Sequence, residues 1–217
     1  MARHSSSEEV RAAKIAAMGA PLGELHFSLS NEVTWLHLKW KDYRALFAHS
    51  QGRIDLLNEA APDFFGNLQR TLWEDVLLHL CRLTDPLKSM GRDNLTILQL
   101  PLLIEEIGLR EQVKSLVTLA GAKTQFARDW RNRRLAHLEL PDFDGTDSIP
   151  LAAASRQHVE DGLAAIRQAM NGVEVHYQDS PVSYEHSIEA LGGVDSLLAY
   201  LEKGLQDKRR GRLGATG

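Results

Sequence analysis

The chain has 217 residues, of which 43% are apolar and 25% are charged, and its formal net charge at pH 7 is −4. This composition is ordinary for a globular protein with a buried core, and the acidic balance excludes a surface that is basic all round. The single cysteine, Cys81, excludes a disulfide within one chain. The N-terminus lacks the apolar stretch of a secretory signal, and no apolar run approaches the ~20 residues of a membrane span. We therefore expect a cytoplasmic protein without membrane contact.

The pattern of apolar residues is helical along most of the chain. Residues 1–20 are expected to form a flexible N-terminal segment. Asn31 then precedes apolar residues at intervals of three and four, as an N-cap precedes a helix. A second run of this kind is bounded by Pro62 and Pro86. The following stretch, 87–108, indicates a connection and a short helix.

The longest helical pattern covers residues 109–140 and stops before Pro141, because the residue before a proline avoids the helical region. Two further helices are predicted at roughly residues 155–172 and 192–208. The basic, glycine-containing residues 209–217 are expected to be a disordered tail.

Strands are not indicated, because no segment alternates strictly between apolar and polar residues; only residues 172–178 fit a short strand as well as a helix. Helices of these lengths favour an all-α fold, an up-and-down helical bundle with additional C-terminal helices. Residues 21–208 are expected to form a single helical domain.

Residues that hold metals or cofactors do not occur at the required spacings. A lone cysteine excludes thiolate cages, and the nine histidines form neither an HExxH nor a Glu-x-x-His pair. His79 is interpreted as an interior residue of its helix, whereas His26 and His37 are expected on the surface. The chain also lacks a GxSxG nucleophile elbow and a glycine-rich phosphate loop. We expect no metal and no cofactor.

One short stretch, RNRRLAH at residues 131–137, combines arginines with a histidine near the end of the longest helix. Five residues separate Arg131 from His137, and such a spacing arises easily by chance. The chain contains a second pair at comparable spacing, Arg44 and His49, which shows how weak the spacing is as a signal. The neighbours of the second pair are apolar and suit packing.

The surroundings of the first pair are basic. Four arginines and one aspartate lie within the seven residues RDWRNRR; the arginines are Arg128, Arg131, Arg133 and Arg134. A guanidinium group can bind two phosphate oxygens at once, so this patch suits a phosphate backbone.

Helical geometry limits what the pair can do. Six steps along an α-helix place Arg131 and His137 about 120° apart around the axis and about 9 Å apart along it. A shared reaction therefore needs Arg131 to reach around the helix, or a groove formed with a second copy of the chain. In the competing interpretation His137 packs below Trp130, and the arginines are a solvated helix end.

The stretch RNRRLAH resembles the Arg-polar-x4-His signature of HEPN domains, the all-helical domains of RNA-cutting toxins and antiviral nucleases. The chain is similar to the abortive-infection, AbiU-like branch of that superfamily. The matching pieces are WKDYRALF (residues 40–47), HLCRLTDPLKSMGRDNLTI (residues 79–97) and RDWRNRRLAHLE (residues 128–139). The resemblance rests on their order and spacing over about residues 30–140.

The resemblance implies a metal-independent endoribonuclease that acts on RNA as a homodimer through the motif helix, with an antitoxin protein as a candidate partner. It carries over to three positions. His137 would act as general base or acid, Arg131 would stabilise charge on the phosphorane, and Asn132 would orient the phosphate or the imidazole ring. RNA binding by Arg128, Arg133 and Arg134 is inferred from their charge alone.

Asp85, in RLTDP, is a further candidate, because it could orient the histidine or pair with an arginine. The alternative is a helix-terminal residue ahead of Pro86. Two other functions also stay open: a non-catalytic helical module that binds RNA or a protein through the same basic groove, and a purely structural bundle in which the motif is accidental.

Overall fold

The computed structural model describes residues 6–135, 151–186 and 192–214, with side chains up to residue 210. The α-helices of these residues are α1 (Ser7–Met18), α2 (Ala20–Phe47), α3 (Gln51–Ala60), α4 (Pro62–Leu83), α5 (Leu100–Leu103), α6 (Ile107–Lys123), α7 (Gln125–Trp130), α8 (Arg156–Gln178) and α9 (Val194–Gly214). One hairpin joins β1 (Lys88–Ser89) to β2 (Arg92–Asp93), and single 3₁₀ and π turns occupy Ile97–Gln99 and Arg131–Leu135. The all-α helical bundle predicted from the sequence is confirmed.

The chain forms two compact units. The first consists of Met1–His37 and Leu77–Tyr184, and the second of Leu38–Val76 and Glu185–Gly217. The core of the first unit is built from apolar faces of α2, α4, α6 and α8. The core of the second contains an aromatic cluster in which the rings of Trp40, Tyr43 and Trp73 lie 5.1–6.2 Å apart. The single domain over residues 21–208 stays a prediction.

Helix α1 lies in the segment that was expected to be flexible. Ser6 and Glu9 form a capping box, in which each side chain binds the backbone N–H of the other residue. Gly19, at a φ of 79°, turns the chain into α2. A Cβ on Gly23 would lie 2.7 Å from the Cα of Ile15, so glycine permits close contact between the two helices.

A buried polar cluster holds α1 against α8. The Lys14 ammonium donates to both carboxylate oxygens of Glu174, at 2.6 and 2.8 Å. His26 Nε2 lies 3.1 Å from the carbonyl oxygen of Met170, which can only accept, so Nε2 carries the proton. Nδ1 then accepts from Lys14 Nζ at 3.2 Å and from Ser30 Oγ at 3.3 Å. His26 and His37 are both buried, and the expectation that they lie on the surface is wrong.

We expect the free energy of unfolding to fall as the pH drops from about 6.5 to about 4. Burial, and next the Lys14 ammonium, lowers the pKa of His26 to about 4, whereas an unfolded histidine titrates near 6.5. The unfolded chain therefore takes up the proton first. About 3 kcal/mol of stability is present above pH ~6.5 and is lost as the pH falls through ~4. Urea unfolding across this range measures it, and His26→Gln should flatten the dependence; an equally steep dependence in that variant would contradict the assignment.

The helix expected over residues 109–140 is divided. Helix α6 ends at Lys123, α7 begins at Gln125, and the backbone continues as a π turn from Arg131. The interruption lies at Thr124, whose buried hydroxyl lies 3.0 Å from Thr84 Oγ1 and 2.9 Å from the carbonyl oxygen of Ala120. Its single proton goes to one of these two oxygens. No proline or glycine marks this position, so the helical period gives no signal for the break.

The C-terminal helices are longer than expected. Helix α8 runs to Gln178, so residues 172–178 are helical, and it ends where Asp179 adopts a left-handed conformation with φ of 51°. Helix α9 continues to Gly214, so residues 209–214 are helical rather than the start of a disordered tail. Among the described helices, none combines the length and the apolar composition that crossing a membrane requires.

Candidate functional site

The C-terminal end of α4 is fixed to the junction between α6 and α7. The buried Thr84, directly after α4, shares a hydrogen bond with Thr124 at that junction. Arg128, on α7, donates to the carbonyl oxygen of Thr84 at 2.7 Å and to its hydroxyl at 3.3 Å. These bonds satisfy a carbonyl that the end of α4 leaves without a helical partner. They bring Asp85, one residue further on, to the start of the π turn.

Arg131 and Asp85 form an ion pair at this place. Arg131 Nη1 donates to Asp85 Oδ1 at 2.5 Å, and the two side chains are 26% and 17% exposed. Arg131 Nε also donates to Asn132 Oδ1 at 3.2 Å. The pairing with an arginine considered for Asp85 is therefore present. The partly buried carboxylate fixes the direction of the guanidinium, since such charge-assisted bonds are short and directional.

Asp129 and Trp130, the two residues before the π turn, both bind the backbone of Ala152. The backbone N–H of Ala152 donates to Asp129 Oδ2 at 2.8 Å, and the backbone carbonyl of Ala152 accepts from Trp130 Nε1 at 2.8 Å. Asp129 also lies 3.8 Å from Arg133 Nη1. Trp130 thus uses its polar atom to anchor residue 152, a contact that the sequence does not indicate.

The arginine patch is partly neutralised by its neighbours. Arg128 is engaged with Thr84, Arg131 with Asp85 and Arg133 with Asp129. Asn132 and Arg134 are exposed. Four arginines facing two aspartates leave a formal charge of +2 on this surface. That charge still favours an anionic ligand, at a lower density than the sequence suggested.

The π turn at Arg131–Leu135 changes the expected relative positions of Arg131 and His137, which were based on α-helical geometry. A π turn closes its hydrogen bonds between residues five apart, so it has more residues per turn than an α-helix, and the α-helical angle of ~120° does not apply across Arg131–Leu135. His137 lies outside the described residues, as do all of 136–150. The joint position of Arg131 and His137 stays a prediction. Single π turns are rare and occur frequently at functional sites.

A cavity of about 250 Å³ adjoins the ion pair, and Asp85 forms part of its wall. Glu32, His79 and Arg82 contribute the other charged or titratable groups, and Leu83 contributes an apolar face. His79 is buried, as interpreted from the sequence, and its Nε2 lies 2.9 Å from Glu32 Oε2. Sequence reasoning did not single out Glu32, because it lies on α2, far along the chain from the other residues.

Cys81 lies behind the site and is fully buried. Burial raises the pKa of its thiol to about 11, although Arg131 and Arg128 act in the opposite direction. The thiol is therefore protonated at neutral pH and is a packing residue rather than a nucleophile. Within the part of the chain that the structure describes, no group of three or more His, Cys, Asp or Glu side chains is arranged to hold a metal ion.

Comparison with known proteins gives one family. The family model HEPN_AbiU2, described as AbiU2, matches residues 20–192, which is most of the chain and includes α2 to α8 and the whole site described above. No curated protein and no solved structure matches the chain.

Proposed function

Because the chain belongs to the AbiU2 family of HEPN domain proteins, a family that suggests a role in abortive infection, we propose that it is a metal-independent endoribonuclease. It would act in phage defence by abortive infection or in a toxin–antitoxin system. The observation that carries the proposal is the Arg131–Asp85 ion pair, which holds the motif arginine at a fixed place beside a cavity and an electropositive surface.

Each motif residue has a defined part in the proposed reaction. Arg131 is bound by Asp85 through Nη1, and in the proposed reaction its other amino group binds a non-bridging phosphate oxygen and stabilises the charge that develops there. Asp85 is a positioning residue, because it acts through Arg131. Asn132, exposed beside Arg131, orients the phosphate or the ring of His137. His137 follows the π turn by two residues in the sequence.

The chemistry needs only groups of the protein and of RNA. A histidine base takes the proton of the ribose 2′-OH, and the 2′ oxygen attacks the adjacent phosphorus. The bond to the 5′ oxygen breaks, and that oxygen takes up a proton from the acid form of a histidine. The products are a 2′,3′-cyclic phosphate and a 5′-hydroxyl end. A homodimer that apposes two motif helices supplies the second imidazole, and the exposed Arg134, with Arg128 and Arg133, binds the RNA backbone.

The purified protein is expected to fragment RNA in the presence of EDTA, because the RNA hydroxyl is itself the nucleophile. The test incubates the wild type and His137→Ala with total RNA and determines the chemistry of the new ends. Cyclic phosphate ends that the variant does not produce would support the proposal. Binding of RNA without cleavage would instead support the non-catalytic module, and a requirement for added Mg²⁺ would contradict metal independence.

A further inference from the structure

The cavity beside the Arg131–Asp85 pair has room for a small ligand group. Its volume of about 250 Å³ is below the ~300–1,000 Å³ of pockets that bind whole drug-sized ligands. Leu83 and Leu95 supply apolar surface, and polar groups from α2 and α4 converge on the same space. Asn94 fixes the hairpin side of the wall, because its amide donates to the carbonyl of Pro86 and to Ser89 Oγ, both at 2.7 Å.

Glu32 is the best-placed polar group of this wall. Its Oε2 lies 2.9 Å from Nε2 of the buried His79, while the Glu32 side chain is 43% exposed. The Glu32 carboxylate lies beside this buried imidazole and is also part of the cavity wall, and a carboxylate accepts hydrogen bonds at about four positions. Arg82, exposed on the same wall, offers guanidinium donors. The wall thus presents acceptors at Glu32 and donors at Arg82.

We propose that this cavity binds a guanine base of the RNA, next to the phosphodiester at Arg131. The inference rests on the proposed function for the RNA as substrate, and it adds the base that the site selects. Guanine is the base that presents two adjacent donors, N1–H and the N2 amino group, and a carboxylate accepts both. Arginine is the side chain that most often binds guanine O6 and N7. Asp85 joins the two parts of the site, because it lines the cavity and also binds Arg131.

The other bases fit this arrangement less well. Adenine and cytosine present one amino group beside a ring acceptor, and that acceptor would face the Glu32 carboxylate without a donor between them. Uracil presents a single N–H between two carbonyls. An unmatched acceptor against a buried or partly buried polar group loses both the hydrogen bond and its solvation. We therefore expect discrimination of about tenfold or more for guanine, the range of one good bidentate contact.

Binding of mononucleotides tests the cavity without any cleavage. Calorimetry with guanosine 5′-monophosphate and with the adenosine, cytidine and uridine 5′-monophosphates should show guanine bound about tenfold or more tightly. Glu32→Gln should remove the preference, because the amide presents an N–H₂ to the guanine donors, and Arg82→Gln should weaken it. Glu105→Gln removes the same charge from an exposed position outside the cavity and should behave as the wild type. Equal affinity for the four nucleotides, or identical results for Glu32→Gln and Glu105→Gln, would overturn the proposal.

Two further measurements separate this inference from the nuclease itself. Guanosine without phosphate should bind through the cavity, so Arg131→Ala should weaken binding of the monophosphate more than binding of guanosine. Sequencing of RNA ends should show guanine enriched beside the cut, with the enrichment lost in Glu32→Gln. Cleavage with no base preference would refute the guanine site and keep the nuclease. Guanosine binding that depends on Glu32, in a protein that cuts no RNA, would support the guanine site and refute the nuclease.

Discussion

Arg131→Ala is expected to lower the rate of RNA cleavage by about 10²- to 10³-fold, the cost of removing one preorganised donor to a developing oxyanion. The side chain is 26% exposed and makes its ion pair with Asp85 at the edge of the core. The pair lies at the edge of the core, so we expect the fold to be retained, and circular dichroism should show an unchanged helical content. Initial rates on a short single-stranded RNA under single-turnover conditions measure the effect directly.

Two matched variants give this prediction its controls. Arg134→Ala removes the same charge from an exposed neighbour, so it should weaken RNA binding and its salt dependence and leave the single-turnover rate within about tenfold. Asp85→Asn keeps the size of the side chain and removes the charge that holds Arg131, and should slow cleavage about tenfold. Equal losses in Arg131→Ala and Arg134→Ala would assign both residues to general electrostatic binding. A normal rate in Arg131→Ala would end the catalytic assignment.

Some helices were predictable because their causes are local, although α2 begins at Ala20, so Asn31 lies inside it and is not its N-cap. The run between Pro62 and Pro86 became α4, since a proline is favoured in the first turn and the apolar period of three to four residues predicts a buried face. The end of the motif helix was not predictable. The break at Thr124 coincides with a hydrogen bond to Thr84, which lies 40 positions away in the chain.

The candidate site shows the same division between local and distant causes. The charged residues around Arg131 made it a candidate. Asp85 was a candidate because it follows a helix and can pair with an arginine. Their contact joins residues 46 positions apart, and only the packed end of α4 brings it about. Glu32 had no local signal at all, because an acidic residue on the polar face of a helix is ordinary. The sequence does not predict the π turn either, since RNRRL contains neither glycine nor proline.

Glu174→Gln is expected to reduce the free energy of unfolding by about 3–5 kcal/mol, the cost of leaving a buried charge without its partner. Glu174 and Lys14 are 4% and 5% exposed at their side chains, so solvent replaces the lost carboxylate poorly. Lys14 also donates to His26, so the unpaired ammonium would disturb a second buried group. For a chain of this length the loss corresponds to about 6–20 °C in Tm. Urea unfolding followed by circular dichroism measures it.

A double variant at Lys14 and Glu174, and a variant of an exposed ion pair, serve as controls for the Glu174→Gln prediction. Lys14→Met combined with Glu174→Leu removes both charges and keeps apolar volume, and should be more stable than either single variant, because the desolvation of both ions is then avoided. Glu24→Gln breaks the pair that Arg11 and Glu24 form between α1 and α2, whose side chains are each 41% exposed, and should change stability far less. A Glu174→Gln protein as stable as Glu24→Gln would show that α1 does not depend on the buried pair. It would support the expectation that residues 1–20 form a flexible N-terminal segment.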